Sequence, residues 1–536
     1  MRTRSSRTGR FPLPVGRRLG YSNFSVGPAT PAYLLMNPTA APTRVRYTVL
    51  AFLCALSMIT YIDRAFWGSA QEDIRAELGL RSVADLAVAL WAFQLAYALF
   101  EVPTGYLGDR FGPRKTLIRI VLWWSFFFCL TTLVGYEIGG VAFVGSTGLA
   151  VLVVFRFLFG MGEAGAYPNM ARGVYNWFPV AQRGTAQGAI WMSARFMGGL
   201  TPFIWLCLVD QEVLGLNWKT GFWIFGGVGL VWCIAFGLYF RNLPEEHPGV
   251  NPAERELIRS GRGPVGMHGR VPWLRLLRSR NLWYLCGMYV CINYGWYFFM
   301  YFLPDFLKKQ FARETATLGD RVVLALLAGG PLLVGVLGCV LGGILTDRHV
   351  RRTGDRKWGR KLYGALGFTA ACLCYVVAIF GALGQNMWVF ALGVAAAGFF
   401  SDLTMGAAWA VCQDIGRRHA AIVSGFMNMV GNLGAVATII VTAWIMKVQV
   451  AAKQAPVLAT AALTGTAPTA PQLVEARTAG EIDGYIINLS LYALAYAVGV
   501  LFWLKIDATK PVLPDEEADA PSGSRHAEQA ESEHAR

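Results

Sequence analysis

Apolar runs of about 18–25 residues recur along this chain between short polar stretches, and that is the length a helix needs to cross a hydrocarbon core of roughly 30 Å. Twelve such runs stand out, near 47–69, 84–107, 116–135, 148–170, 184–209, 219–240, 282–307, 321–346, 362–384, 387–412, 419–447 and 484–505. The pattern predicts an all-α membrane protein with twelve transmembrane helices. Residues 1–45 are basic and Ser/Arg-rich and then Pro/Ala/Thr-rich. They read as a disordered cytoplasmic tail, a transit-peptide-like piece, or a start placed upstream of Met36. Residues 241–281, rich in Pro, Gly and mixed charge, read as a central linker with a short amphipathic piece at 252–259. Residues 448–483 are Ala/Thr/Pro-rich and are expected to be a flexible outer loop, and 506–536 a disordered acidic tail.

The polar end of the second run, Gly105 to Lys115, has the pattern G-x-x-x-D-R-x-G-x-R-K. A partial copy, Gly343 to Arg348, closes the eighth run 238 residues later. Two such elements, each ending the second helix of a group of six, signal an internal repeat. The halves are then 46–240 and 282–505. Asp109 is placed to accept from a neighbouring helix end, while Arg110, Arg114 and Lys115 stay in the cytoplasm; Gly105 and Gly112 complete the signature pattern.

Composition sharpens this reading. The 536 residues are 55% apolar and only 15% charged, against about 25% charged in soluble domains, and mean hydropathy is +0.42. A net charge of +15 raises the prospect of nucleic acid, but its distribution excludes that partner. With both termini cytoplasmic, about 35 Lys and Arg fall inside, about 10 outside and 3 in the membrane, the bias that orients membrane proteins. The ten cysteines all lie in apolar runs, where small-hydrophobe packing is their expected role, and no metal-ligand spacing is visible. The six histidines lie in loops or the tail, so an intramembrane proton would have to ride on a carboxylate. With no membrane histidine and no Ser/His/Asp set, an enzyme is not expected, nor is a cofactor.

Charges inside the runs carry the chemistry, because a charge near the bilayer centre costs at least ~2.5–3.5 kcal/mol and is normally functional. In RFLFGMGEAGAYPN, Arg156 and Glu163 are seven residues apart, on one helix face and about 10 Å apart along the axis. Pro168 should break the hydrogen-bond ladder near one end of that helix. Asp63 and Arg64 lie past the middle of the first run; as neighbours they diverge by about 100°, so one can pair while the other faces a cavity. Arg195 in the fifth run either meets an anion or pairs with Asp402 or a helix end. Tyr294, Trp296, Tyr297 and Tyr301 in the seventh run suit either a pocket wall or an interfacial belt, and Asn293 is the better polar candidate there, because a buried amide needs partners. Trp409, and Asn428 with Asn432 four residues on, suit either a polar pocket or helix packing.

Two parallel halves with a site between them is the major facilitator plan, and GYLGDRFGPRK resembles that superfamily's signature loop. YIDR in the first run, RFLFGMGEAGAYPN followed by NWFP and Arg183, and INYGWYFFMYFLPDFL in the seventh together resemble its anion:cation symporter family. That family includes bacterial galactonate and hexuronate permeases and animal sialic-acid and vesicular glutamate carriers. The resemblance covers roughly residues 47–505. It implies a proton-coupled symporter importing a small organic anion, such as a sugar acid, across the bacterial inner membrane by alternating access. A monomer suffices for that mechanism. It further implies that Arg64 and Arg156 engage the substrate carboxylate, that Asp63 and Glu163 carry protons, and that Tyr97 lines the pocket. Arg195 departs from the sugar-acid permeases, which carry a glutamine or similar polar group there; it leans toward a second anionic group or a different hydroxyl pattern. Aromatic carboxylates and dicarboxylates therefore stay open as cargo. Efflux is the weaker alternative, since the G-x-x-x-G-P-x-x-G-G run of drug exporters is missing from the fifth span.

Overall fold

The computed structural model describes residues 41–80, 86–209, 214–259, 271–311, 318–465 and 467–513. In a hydrocarbon core each backbone N–H and C=O must be satisfied within the chain, which is why these apolar runs become helices. Only a two-residue hairpin, Glu137–Ile138 with Val141–Ala142, pairs as strand among the described residues. The first half contains α1 (Val45–Ser69), α2 (Ala87–Phe111), α3 (Pro113–Leu130), α4 (Gly145–Glu163), α5 (Ala166–Trp177), α6 (Arg183–Val209) and α7 (Trp218–Tyr239). The second contains α8 (Arg280–Tyr301), α9 (Leu318–Thr353), α10 (Arg356–Leu383), α11 (Met387–Leu403), α12 (Met405–Gly416), α13 (Ala420–Thr464) and α14 (Ala470–Lys505). By length and apolarity alone, eight stretches qualify as membrane crossings among the described residues, or nine with α6 and its 44° bend. One of the eight, Met387–Thr464, contains α11, α12 and α13. Large apolar side chains such as Leu238, Phe380, Leu392 and Trp444 are exposed on the outside of the bundle, where lipid tails would cover them.

The halves repeat one another. In each, the fourth apolar run is broken: α4 gives way to α5 at Ala164–Gly165, and α11 to α12 at Thr404. The first break lies before Pro168, which sits in the first turn of α5, where a missing N–H leaves no bond unmade. Close helix crossings repeat as well. A Cβ on Gly160 would strike the carbonyl of Phe93, and one on Gly342 the carbonyl of Leu403, so α2 and α4 approach as α9 and α11 do.

Contacts between halves follow the same symmetry, α2 against α13 and α6 against α9. At the end of the bundle carrying the repeated motif, Asp109 accepts from the backbone N–H of Ala421 at 3.2 Å and Ile422 at 2.8 Å, where α13 begins. Asp347 accepts from the N–H of Gly184 at 3.1 Å and of Thr185, where α6 begins. A helix start offers unpaired N–H groups and a partial positive charge, so each aspartate ties its own half to the other. Arg360 joins Asp347 (2.8 Å) to Asp414 (3.2 Å), which also pairs with Arg183 at 3.0 Å; Arg172 reaches Asp109 at 3.5 Å. The structure is shut at this end. Gly105 lets α2 come this close, since its Cβ would lie 2.6 Å from the Ala421 carbonyl oxygen. Gly112 turns the chain at φ +85°, and Arg114 and Arg110 hydrogen-bond to the Gly237 carbonyl and the Tyr106 hydroxyl.

Two expectations need correction. Residues 448–483 are not a flexible loop: α13 runs to Thr464 and α14 starts at Ala470, with a capping box at Thr469. Alanine, abundant there, is the strongest helix former, and that outweighs the turn-like look of the segment. The acidic tail expected from 506 begins packed: Ile506, Val512 and Leu513 are buried, and the Val512 N–H donates to the Ile415 carbonyl. Most of residues 1–45 and of 506–536 lie outside the described residues. The amphipathic piece of the linker forms a helix at Pro252–Arg259; its buried Glu254 pairs with Arg46 at 2.7 Å.

Candidate functional site

A small cavity, with about 40 Å³ of room for water-sized molecules, lies between the halves. Of the residues expected at a site, Arg64, Tyr97, Arg195, Asn293, Tyr297, Asn428 and Asn432 form its wall. Arg156, Asp63, Glu163, Tyr294 and Trp409 are not part of that wall. Aromatic rings make up much of the rest: Tyr61, Tyr167, Trp191, Tyr289 and Trp296. Apart from Trp296, these rings are not among the sequence candidates, yet a signal for two of them exists. Trp191 lies one helical turn before Arg195, and Tyr289 one turn before Asn293, so each shares a face with a polar wall residue.

Arg64 and Glu163 meet first. The Arg64 Nε donates to Glu163 Oε1 at 2.7 Å, from α1 to the last residue of α4. The helix break just after Glu163 depends on Gly165, whose φ of +82° and closeness to Thr104 exclude a side chain. The Arg64 guanidinium also lies 4.4 Å from the centre of the Tyr97 ring. Glu163 Oε2 and Arg64 Nη2 are buried without a hydrogen bond, so the pair leaves bonding capacity unused.

Arg156 is not in the cavity wall, although its charge acts on Glu163. Its guanidinium packs over the rings of Trp67 (4.3 Å), Phe93 (4.6 Å) and Phe159 (5.0 Å). Asp63 is buried, faces Glu163 and the Trp124 indole, and accepts no hydrogen bond at normal geometry. The stacking of Arg156 and Glu163 on one face of α4 holds; what the linear pattern does not give is the rotation of that face, which points Arg156 into aromatic packing.

Arg195 makes a fork with Asp402: Nε to Oδ2 and Nη2 to Oδ1, both 2.9 Å, while Nη1 donates to the Tyr61 hydroxyl at 2.6 Å. Arg195 thus pairs with Asp402, one of the partners its sequence reading offered, and it also borders the cavity. A polar seam continues across the halves. Gln94 Nε2 donates to the Tyr297 hydroxyl at 2.8 Å, and that hydroxyl donates to Asn432 Oδ1 at 3.2 Å. Asn428 Nδ2 donates to Glu101 Oε1 and to the Tyr97 hydroxyl. Trp409 donates to the Tyr289 hydroxyl at 3.3 Å and backs the Trp191 ring, and Tyr294 packs edge-on against Tyr492. A pocket so built, with cations and amides set among rings, suits a small anion carrying hydroxyl groups.

Comparison with known proteins places the arrangement. Residues 52–439 match the family model described as Major Facilitator Superfamily. The chain is 33% identical over 389 residues to the probable sulfoacetate transporter SauU of Cupriavidus necator, covering 72% of this chain and 84% of that protein. It is 30% identical over 418 residues to the probable galactarate/D-glucarate transporter GudP of Escherichia coli K12, covering 75% and 88%. It is 27% identical over 421 residues to the D-galactonate transporter of Escherichia coli O6:H1, covering 76% and 90%. Among solved structures, the E. coli fucose:proton symporter FucP aligns with a TM-score of 0.59 at 13% identity, over 87% of this chain and 100% of that one. That likeness speaks to the fold.

Proposed function

This chain belongs to the major facilitator superfamily and is a membrane transporter, not an enzyme; from that premise we propose that it imports a small organic anion together with protons. The cargo is a sugar acid or a related carboxylate or sulfonate, in keeping with what its relatives are named for. The membrane is the bacterial inner membrane, with both termini in the cytoplasm.

The observation that carries the reading is the Arg64–Glu163 pair, in which the arginine borders the cavity and the carboxylate stands behind it. A proton taken up by Glu163 neutralises the carboxylate and leaves Arg64 without its counter-charge. An incoming carboxylate then replaces Glu163 as the partner of Arg64. One anion and one proton enter together, and the charge of the site is unchanged. Asp63, buried and facing Glu163, is the second proton carrier. Arg156 adds positive potential from its aromatic cage, and Asn293, Asn428 and Asn432 are placed to bond the cargo's hydroxyls. Rocking of one half on the other requires Asp109 and Asp347 to leave the helix starts they cap.

A thermal-shift screen of the purified protein tests the anion claim, because a ligand that binds only the folded state raises Tm. Organic acids should raise it and the corresponding neutral sugars should not. A response confined to neutral sugars overturns the reading.

A further inference from the structure

Among the described residues two acid–arginine pairs, not one, border the cavity, and their acids occupy matching places in the repeat. Glu163 is the last residue of α4, at the break in the first half's fourth run, and pairs with Arg64. Asp402 lies in the last turn of α11, at the corresponding break in the second half, and pairs with Arg195. In each pair the arginine is in the cavity wall and the acid is not.

The second pair is the more complete. Both oxygens of Asp402 are engaged by one face of the guanidinium, the geometry in which arginine takes a carboxylate ligand. Tyr61 accepts a third N–H, and the Trp296 ring lies 4.8 Å from the guanidinium carbon. Asp402 thus behaves as a resident carboxylate, held where an acid group from outside would be held. The pair also joins the halves, since Arg195 is on α6 and Asp402 on α11.

We propose that Arg195 is a second anion subsite with Asp402 as its displaceable counter-ion, and that the cargo is a small organic dianion, one acid group on Arg64 and the other on Arg195. This rests on the reading of Arg64 given above. A proton from the external medium, delivered as hydronium, moves onto an Asp402 oxygen, Arg195 stays charged, and the second acid group takes over the N–H bonds that Asp402 gives up. Each acid group therefore enters with one proton. Because the Arg195–Asp402 fork crosses between halves, seating the second acid group also removes a tie between them, so a monoanion leaves the halves fastened where a dianion frees them.

The test measures binding to the purified full-length chain with acids matched in skeleton: D-glucarate against D-gluconate, and sulfoacetate against acetate. In the natural protein the dianion of at least one pair should bind about tenfold or more tighter than its monoanion. In Arg195→Gln that ratio should fall to about one, and in Asp402→Asn one proton fewer should be taken up per dianion bound than in the natural protein. If Arg195→Gln does not fold, Arg195→Lys keeps the charge against Asp402, loses the fork, and should lower the same ratio. Equal binding of both members in the natural protein, or an unchanged ratio in the Arg195 variants, overturns the dianion site while leaving an anion transporter intact. Binding of no acid at all overturns the parent reading instead.

Discussion

Arg64 and Glu163 are joined at 2.7 Å, yet only one of them faces the cavity: the arginine side chain is 28% exposed and the glutamate 1%. A cation that borders the cavity can exchange its hidden partner for a ligand, and in the proposed mechanism a proton permits the exchange. Glu163→Gln, which fixes the neutral state, should therefore keep exchange of labelled for unlabelled substrate across the membrane while losing accumulation against a gradient. A Glu163→Gln protein that still concentrates substrate would remove Glu163 from the coupling.

The two arginines of the first half should separate in binding assays. Losing a charged hydrogen-bond partner costs roughly 1.5–3 kcal/mol, about 10- to 150-fold in affinity. Arg64→Gln should show a loss of that size in anion affinity. Arg156→Lys keeps a cation among Trp67, Phe93 and Phe159 but gives up the planar stacking of the guanidinium, so it should lower Tm more than affinity. A larger affinity loss at 156 than at 64 would reverse their roles.

How much of this is legible in the chain follows from what each pattern encodes. Apolar run length and the GxxxDR repeat report spans and symmetry directly, and the structure has matching helices and matching Asp109 and Asp347 ties. The break in the fourth run is legible only as a proline, and the structure sets it at Gly165, where backbone conformation and the close approach of Thr104 decide. Which charge meets the cavity is not legible. Asp63, Arg64 and Arg156 all stand out as costly membrane charges, but helix rotation and ring packing, not sequence spacing, send Arg64 to the wall and Arg156 into a cage. The Arg195–Asp402 fork joins residues 207 positions apart, a pairing that two isolated charges leave undetermined.

Gly165 offers a test of the broken helix. An alanine there would have to adopt φ +82° with its Cβ 2.5 Å from Thr104. Left-handed strain of about 1–2 kcal/mol and overpacking of about 1–3 kcal/mol should combine to lower Tm and weaken uptake, since Glu163 sits two residues away. Gly173→Ala on α5 is the control: its nearest neighbour would be Leu53 at 3.5 Å, ordinary contact, and Tm should hardly move.

At the shut end, Asp109→Ala removes the acceptor that caps α13. A loss of about 1–2 kcal/mol shifts the balance between closed and open forms by roughly 5- to 30-fold. Cysteines introduced along the α2–α13 seam should then be labelled faster by a water-soluble thiol reagent. Labelling at the unaltered rate would mean that Asp109 does not hold this end closed.

The central claim, that proton uptake admits the anion, is tested most directly in proteoliposomes under an inside-alkaline pH gradient. The labelled acid is the one that raises Tm most. The account predicts accumulation above the external concentration, collapsing when a protonophore removes the gradient. The same plateau with and without the gradient would contradict it.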